Sequence, residues 1–173
     1  MDFPEEGEYL PEIEADFSPD VMYGNMGDRY IEFRLGLFPE SAALAFMSAV
    51  LFPGSELVEE HEGVFDLRFG IRIISLEYAW KASGLFFEQD KTRRVMAAED
   101  RKQVLSLLVR AIRLLVETER PRIITMSTFD AELPEQALVK YLEIQTCLHI
   151  CGYVTVDTYK SDDGRHRWIF EAA

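Results

Sequence analysis

Between residues 30 and 38 polar Glu32 and Arg34 alternate with apolar neighbours, which is the period of two that a half-buried strand requires. Pro39 ends that run. Pro39-Glu40-Ser41 then predicts a helix over residues 39–50, since proline is tolerated in a first turn and Ala42, Leu44, Ala45, Phe46, Met47 and Val50 supply a broad apolar face closed by Pro53-Gly54. Two short alternating runs follow, residues 55–60 and 64–69, and the connection His61-Glu62-Gly63 predicts a hairpin between them. After Gly70 the branched, apolar run 71–80 (IRIISLEYAW) predicts a central strand.

Residues 81–98 show no sustained period and turn basic towards their end. Glu99-Asp100 precede the strongest helix signal, 101–119, in which Leu105, Leu108, Ile112 and Leu115 form one stripe with Arg110 and Arg113 on its flank; the carboxylates suit the positive end of the helix dipole. Pro121 stops it. Residues 122–129 predict a strand, and Leu133-Pro134-Glu135 lead into a second long helix that carries Ala137, Leu138, Tyr141, Ile144, Leu148 and Cys151 at helical spacing and stops at Gly152. Residues 153–159 and 165–170, joined at Asp162-Asp163-Gly164, predict a terminal β-hairpin. The predicted order is β-α-β-β-β-α-β-α-β-β, an α/β (α+β) chain with a mixed central sheet flanked by helices.

Ahead of these elements, residues 1–28 hold nine carboxylates (Asp2, Glu5, Glu6, Glu8, Glu12, Glu14, Asp16, Asp20 and Asp28) and no lysine or arginine, and Pro4, Pro11 and Pro19 interrupt any period. This reads as an extended acidic arm, tethered by aromatic residues or partly disordered and outside the core, before a single domain over 29–173. Nine of the 18 basic residues lie between Lys91 and Arg122, so the arm has a basic region of its own chain to fold back on.

Composition narrows the class of protein. With 173 residues, 48% hydrophobic and 28% charged, the chain is large enough to bury a core without disulfide or metal staples. The first residues have neither a basic nor an apolar signal-like region, and no run approaches the length needed to span a bilayer, so a membrane partner is not expected and a cytoplasmic location is. Two cysteines, Cys147 and Cys151, exclude a disulfide framework and agree with a reducing compartment. The formal net charge of -13 opposes generic nucleic-acid binding and suits a protein partner with a basic surface.

The order of central strand, long helix, strand, helix ending in Gly152-Tyr153, and terminal hairpin resembles the acyl-CoA N-acyltransferases of the GNAT family over residues 30–170. That resemblance implies a phosphate-binding turn between the central strand and the long helix, where the family carries glycines that let backbone N–H groups reach the CoA pyrophosphate. The matching stretch here, residues 91–101 (KTRRVMAAEDR), has no glycine and places Glu99 and Asp100 where the phosphates would lie; Arg93 and Arg94 are the candidate cofactor-binding residues. The family's acid tyrosine, four residues before the glycine, falls on Leu148, and Tyr141 reads as core. Glu77 on the central strand is the candidate general base.

Cys147, His149 and Cys151 do not make a four-ligand zinc site, because His149 points away from the face the two cysteines share, and no metal is expected. Nucleophile-elbow, Walker and dinucleotide motifs are absent. The sequence therefore predicts a non-catalytic acidic interaction or inhibitor protein on a GNAT-like scaffold with no cofactor, resembling the small accessory proteins of mobile elements. The alternative it leaves open is an N-acyltransferase using acetyl-CoA or another acyl-CoA. A structural or oligomeric component is the second alternative.

Overall fold

The run Ala43–Pro53 is a strand, where the apolar pattern of residues 39–50 predicts a helix. Residues 47–51 are buried without interruption, the signature of a strand enclosed on both faces, and such a run cannot be told from a buried helix by periodicity alone. Pro39 opens a turn instead of a helix: Ala42 donates its N–H to the Pro39 carbonyl at 3.2 Å and has a φ of 43°, which bends the chain back.

The computed structural model describes residues 4, 7–17, 20–59, 62–77, 84–86, 89–129, 131 and 135–173. In chain order its elements are β1 (Leu10–Pro11), β2 (Met22–Tyr23), β3 (Arg29–Phe38), β4 (Ala43–Pro53), β5 (Val64–Ser75), α1 (Gln89–Val95), α2 (Arg101–Glu119), β6 (Ile123–Ser127), α3 (Glu135–Ile150), β7 (Tyr153–Lys160) and β8 (His166–Ala172). The strands form a mixed sheet in the order β1-β3-β4-β5-β6-β8-β7, with β2 also on β3, so the fold is α+β. β6 runs parallel to β5, and the connection between them contains α2, as a parallel neighbour demands; β8 is antiparallel to both β6 and β7.

Several boundaries differ from the sequence expectation. Val64–Ser75 is one strand running through the buried Gly70, where two were expected, and residues 55–59 form a turn and coil instead of a strand. Glu60 and His61 lie outside the described residues, as do Tyr78, Ala79 and Trp80. The central strand stops at Ser75, and helix α1 occupies part of the stretch expected to be irregular. The second half of the chain follows the pattern closely. Gly152, at a φ of 91°, ends α3, and Arg120 takes the same left-handed conformation (φ 47°) after α2, ahead of Pro121.

Strands β3, β4 and β5 and helix α2 each run through two compact units. The first comprises Met1–Asp20, Glu32–Ser48 and Phe69–Leu108. Its core includes Phe33, Leu35, Phe38, Ile73 and Val95, together with Phe17 from the acidic segment, 3% exposed and stacked on Phe33 at 5.2 Å. The segment 1–28 therefore contributes a core residue and two short strands, β1 and β2, against the expectation of an arm outside the core. Glu32 is held by Ser48 Oγ at 2.6 Å and Arg72 Nη1 at 2.9 Å, which satisfies a carboxylate only 7% exposed. The second unit comprises Val21–Ile31, Ala49–Arg68 and Val109–Ala173, with a core that includes Leu67, Ile112, Ile124, Met126 and Phe170. Tyr141 is buried and stacked on Trp168 at 5.5 Å, a core residue as its spacing predicts.

Strand β1 reaches β3 only because Gly36 has no side chain: a Cβ there would collide with the Leu10 carbonyl and lie 2.5 Å from the Tyr9 hydroxyl. Gly36→Ala is expected to lower stability by about 1–3 kcal/mol in urea denaturation and to expose residues 7–17 to proteolysis. Unchanged stability and protection would show that β1 does not depend on this contact.

Candidate functional site

Arg94, in the last turn of α1, is engaged by the chain's own N-terminal segment. Its Nη1 donates to the Pro4 carbonyl and its Nη2 to the Gly7 carbonyl at 3.0 Å, while the guanidinium lies 5.4 Å over the Phe38 ring. Tyr9 packs on the other partner of that cluster, 5.0 Å from Phe38, and burial pushes its hydroxyl up. Further along, Glu12 accepts from Arg34 Nη2 at 2.7 Å and Glu14 from the Arg34 N–H at 3.2 Å. The acidic segment thus folds back on β3 and α1.

Arg93, also in the last turn of α1, is exposed. Glu77 is exposed in a bend after the end of β5 instead of on the strand. At the start of α2, Asp100 occupies the N-cap position, its carbonyl accepting from the Val104 N–H at 2.9 Å. A carboxylate at this helix end, no glycine before it and a neighbouring arginine already bonded to carbonyls do not fit a CoA pyrophosphate.

A different place gathers polar chemistry. The parallel ladder of β5 and β6 consists of Val64–Ile123, Phe65–Ile124 and Asp66–Thr125, and it stops there although both strands continue. Where they part, a cleft of about 320 Å³ opens, lined by Ser55, Asp66, Arg68, Ser127, Thr128 and Arg167, among others. Period-two geometry puts Asp66 and Arg68 on one face of β5, and Thr125 and Ser127 on one face of β6. Thr125, fully buried, donates to Asp66 Oδ1 at 2.9 Å and lies 2.7 Å from Ser55 Oγ, whose oxygen also accepts the Leu57 N–H. Arg68 Nε donates to Asp66 Oδ2 at 2.7 Å, and its guanidinium stacks 4.9 Å over Phe52.

The terminal hairpin supplies the opposite wall. Arg167 donates from Nε to Ser161 Oγ at 2.9 Å and from Nη2 to Asp163 Oδ2 at 2.9 Å; Arg165 lines the cleft beside it. Thr128 is tied to β8 by its N–H to the His166 carbonyl and by the His166 N–H to its hydroxyl, which fixes the mouth at the carboxyl end of β6. Of these residues the sequence marks only Arg165 and Arg167, in a basic-aromatic hairpin tail that could stack on bases, and nothing in it connects them with Asp66 or Arg68. The available signal was a pair of Arg-x-Arg and Asp-x-Arg spacings at strand period, but 99 residues separate Arg68 from Arg167 and only the sheet order unites them.

A second concavity, of about 420 Å³ on α2 and α3, is apolar and includes Val139, Leu142 and Cys147. Burial pushes the Cys147 thiol up to about 12, so it carries no nucleophilic thiolate at neutral pH. Among the described residues no group of three or more histidine, cysteine or carboxylate side chains is placed to hold a metal ion, and no helix is long and apolar enough to cross a membrane.

Asp163 sets the hairpin tip. The Ser161 hydroxyl, then the Arg165 N–H at 3.1 Å and Arg167, hold its carboxyl down at about 2 from an ordinary 3.8. A lowered pKa means that the folded state favours the charged form, so this support of the hairpin is complete above the unfolded value and is lost as pH falls through about 2. Carboxyl-carbon NMR is expected to show Asp163 titrating near 2 and Ser161→Ala moving it upward; a wild-type midpoint near 3.8 would contradict this geometry. Comparison of the chain with protein-family profiles, with curated proteins and with solved structures finds no match.

Proposed function

We propose that this chain is a non-catalytic interaction protein on a GNAT-like scaffold, with an acidic surface that takes a protein partner with a basic one. The observation that carries the reading is the engagement of Arg94 by the Pro4 and Gly7 carbonyls. The arginine that a cofactor-binding relative would direct at phosphate serves here to hold down the N-terminal segment. The exposed bend position of Glu77 and the buried Leu148 at the place of the family's acid support the same reading. With a net charge of -13 and Glu8, Asp16 and Asp20 exposed, association with a basic surface is drawn by long-range attraction and screened by salt.

One observation favours the acyl-CoA N-acyltransferase reading: the parallel pairing of β5 and β6 ends after three residue pairs although both strands continue, and a GNAT-like protein would admit its cofactor where two such strands part. In that reading Arg93 and Arg94 would face the phosphates and Glu77 would act as base. The poor fit of the α2 start to a pyrophosphate makes it the second choice.

Calorimetric titration of the full chain with acetyl-CoA to millimolar concentration is expected to give no saturable heat. An immobilised lysine-rich protein is expected to capture the chain at low salt, with binding weakened by salt and by Glu8→Lys, Asp16→Lys and Asp20→Lys together. Saturable acetyl-CoA binding would transfer the case to the second reading, and capture indifferent to both salt and charge reversal would end the electrostatic one.

A further inference from the structure

We infer that the cleft where β5 and β6 part is a binding site for a small molecule bearing a carboxylate or phosphate group, with Arg68 and Arg167 as the donors that hold it. The site is independent of the acidic partner surface and of Arg93 and Arg94.

Free donors are present and aimed by fixed partners. Arg68 spends Nε on Asp66 and rests on the Phe52 ring, which leaves its four terminal N–H groups without a hydrogen-bond partner among the described residues. Arg167 spends Nε on Ser161 and Nη2 on Asp163, which leaves Nη1 likewise. Both planes are thereby oriented before any ligand arrives, so little side-chain freedom remains to be lost on binding. Planar guanidinium groups match the paired oxygens of a carboxylate or phosphate.

The immediate surroundings agree with an anion. Arg68, Arg165 and Arg167 line the cleft against Asp66 and Glu56, so three cations outnumber two carboxylates there in a chain of net charge -13. Ser127 and Thr128 add hydroxyl-bearing side chains to the wall, and about 320 Å³ lies at the lower end of the range for small-ligand pockets. Its position is also that of ligand sites in sheets with parallel strands, at the carboxyl end of a strand where its neighbour departs. A salt-bridge cluster serving only to brace the hairpin would need Asp163 and Ser161 but not the donors left over on Arg68.

The test is a titration of the full, isotope-labelled chain with inorganic phosphate and, separately, with succinate, at constant ionic strength, followed by amide NMR. Saturable shifts confined to the amides around Asp66, Arg68, Ser127 and Arg167 are expected, and the anion that saturates first identifies the preferred group. Arg68→Gln and Arg167→Gln are each expected to weaken binding about tenfold or more, whereas Arg93→Gln leaves it unchanged. Arg68→Lys keeps the charge and the fold but not the planar fork, and is expected to weaken binding in between. Shifts that never saturate, or saturation unaffected by the Arg68 and Arg167 variants, would overturn the proposal. Loss of phosphate binding in Arg93→Gln instead would place the site at α1.

Discussion

Three rungs of parallel pairing, from Val64–Ile123 to Asp66–Thr125, set the layout of the second half of the sheet. A parallel neighbour has to be reached by a crossover, so α2 follows from the pairing, and β8 can then lie against β6 only by returning antiparallel through the terminal hairpin. The ladder is short. Beyond Asp66 and Thr125 the facing edges of β5 and β6 are released from one another, and backbone and side chains at Arg68 and Ser127 turn towards a cleft. The last rung is where the protein buries the Thr125 hydroxyl, between Ser55 and Asp66.

Charge is arranged by a similar economy of position. Two of the exposed N-terminal carboxylates, Glu12 and Glu14, meet Arg34, while the backbone of the same segment occupies Arg94. Exposed ion pairs of this kind contribute little individually. What fixes the segment is Phe17 against Phe33, the close approach at Gly36 and the short β1 pairing, with the charges selecting which surface it covers. The carboxylates left outward, such as Glu8, Asp16 and Asp20, then give the chain its acidic exterior.

The parts of this fold that local signals could reveal were those with punctuation. Pro121, Gly152 and Asp162-Asp163-Gly164 stop or turn the chain in ways few alternatives satisfy, and α2, β6, α3 and the hairpin fall within a few residues of their predicted places. Residues 43–51 defeated the pattern because a strand buried on both faces loses its alternation and becomes indistinguishable from an apolar helix. Gly70 suggested a break that the sheet overrides. For the candidate site, the sequence marks Arg94 as a candidate for binding phosphate, but not that the backbone of residues 4 and 7 engages it, since carbonyl groups leave no mark in composition.

The trio of Asp66, Thr125 and Arg68 shows why the cleft is more than a by-product of packing. A partly buried ion pair gives back in attraction about what it loses in desolvation, and apolar residues of similar size often hold a fold as well or better. Asp66, with 16% of its side chain exposed, therefore adds little to stability that a branched apolar residue would not. What it does add is direction: one oxygen takes the Thr125 hydroxyl and the other takes Arg68 Nε, so the guanidinium is locked at one end and its remaining donors face outward. At the opposite wall Asp163 and Ser161 do the same for Arg167. Two arginines positioned from behind, on elements far apart in sequence, are what a ligand bearing an anionic group would need and what folding alone would not require.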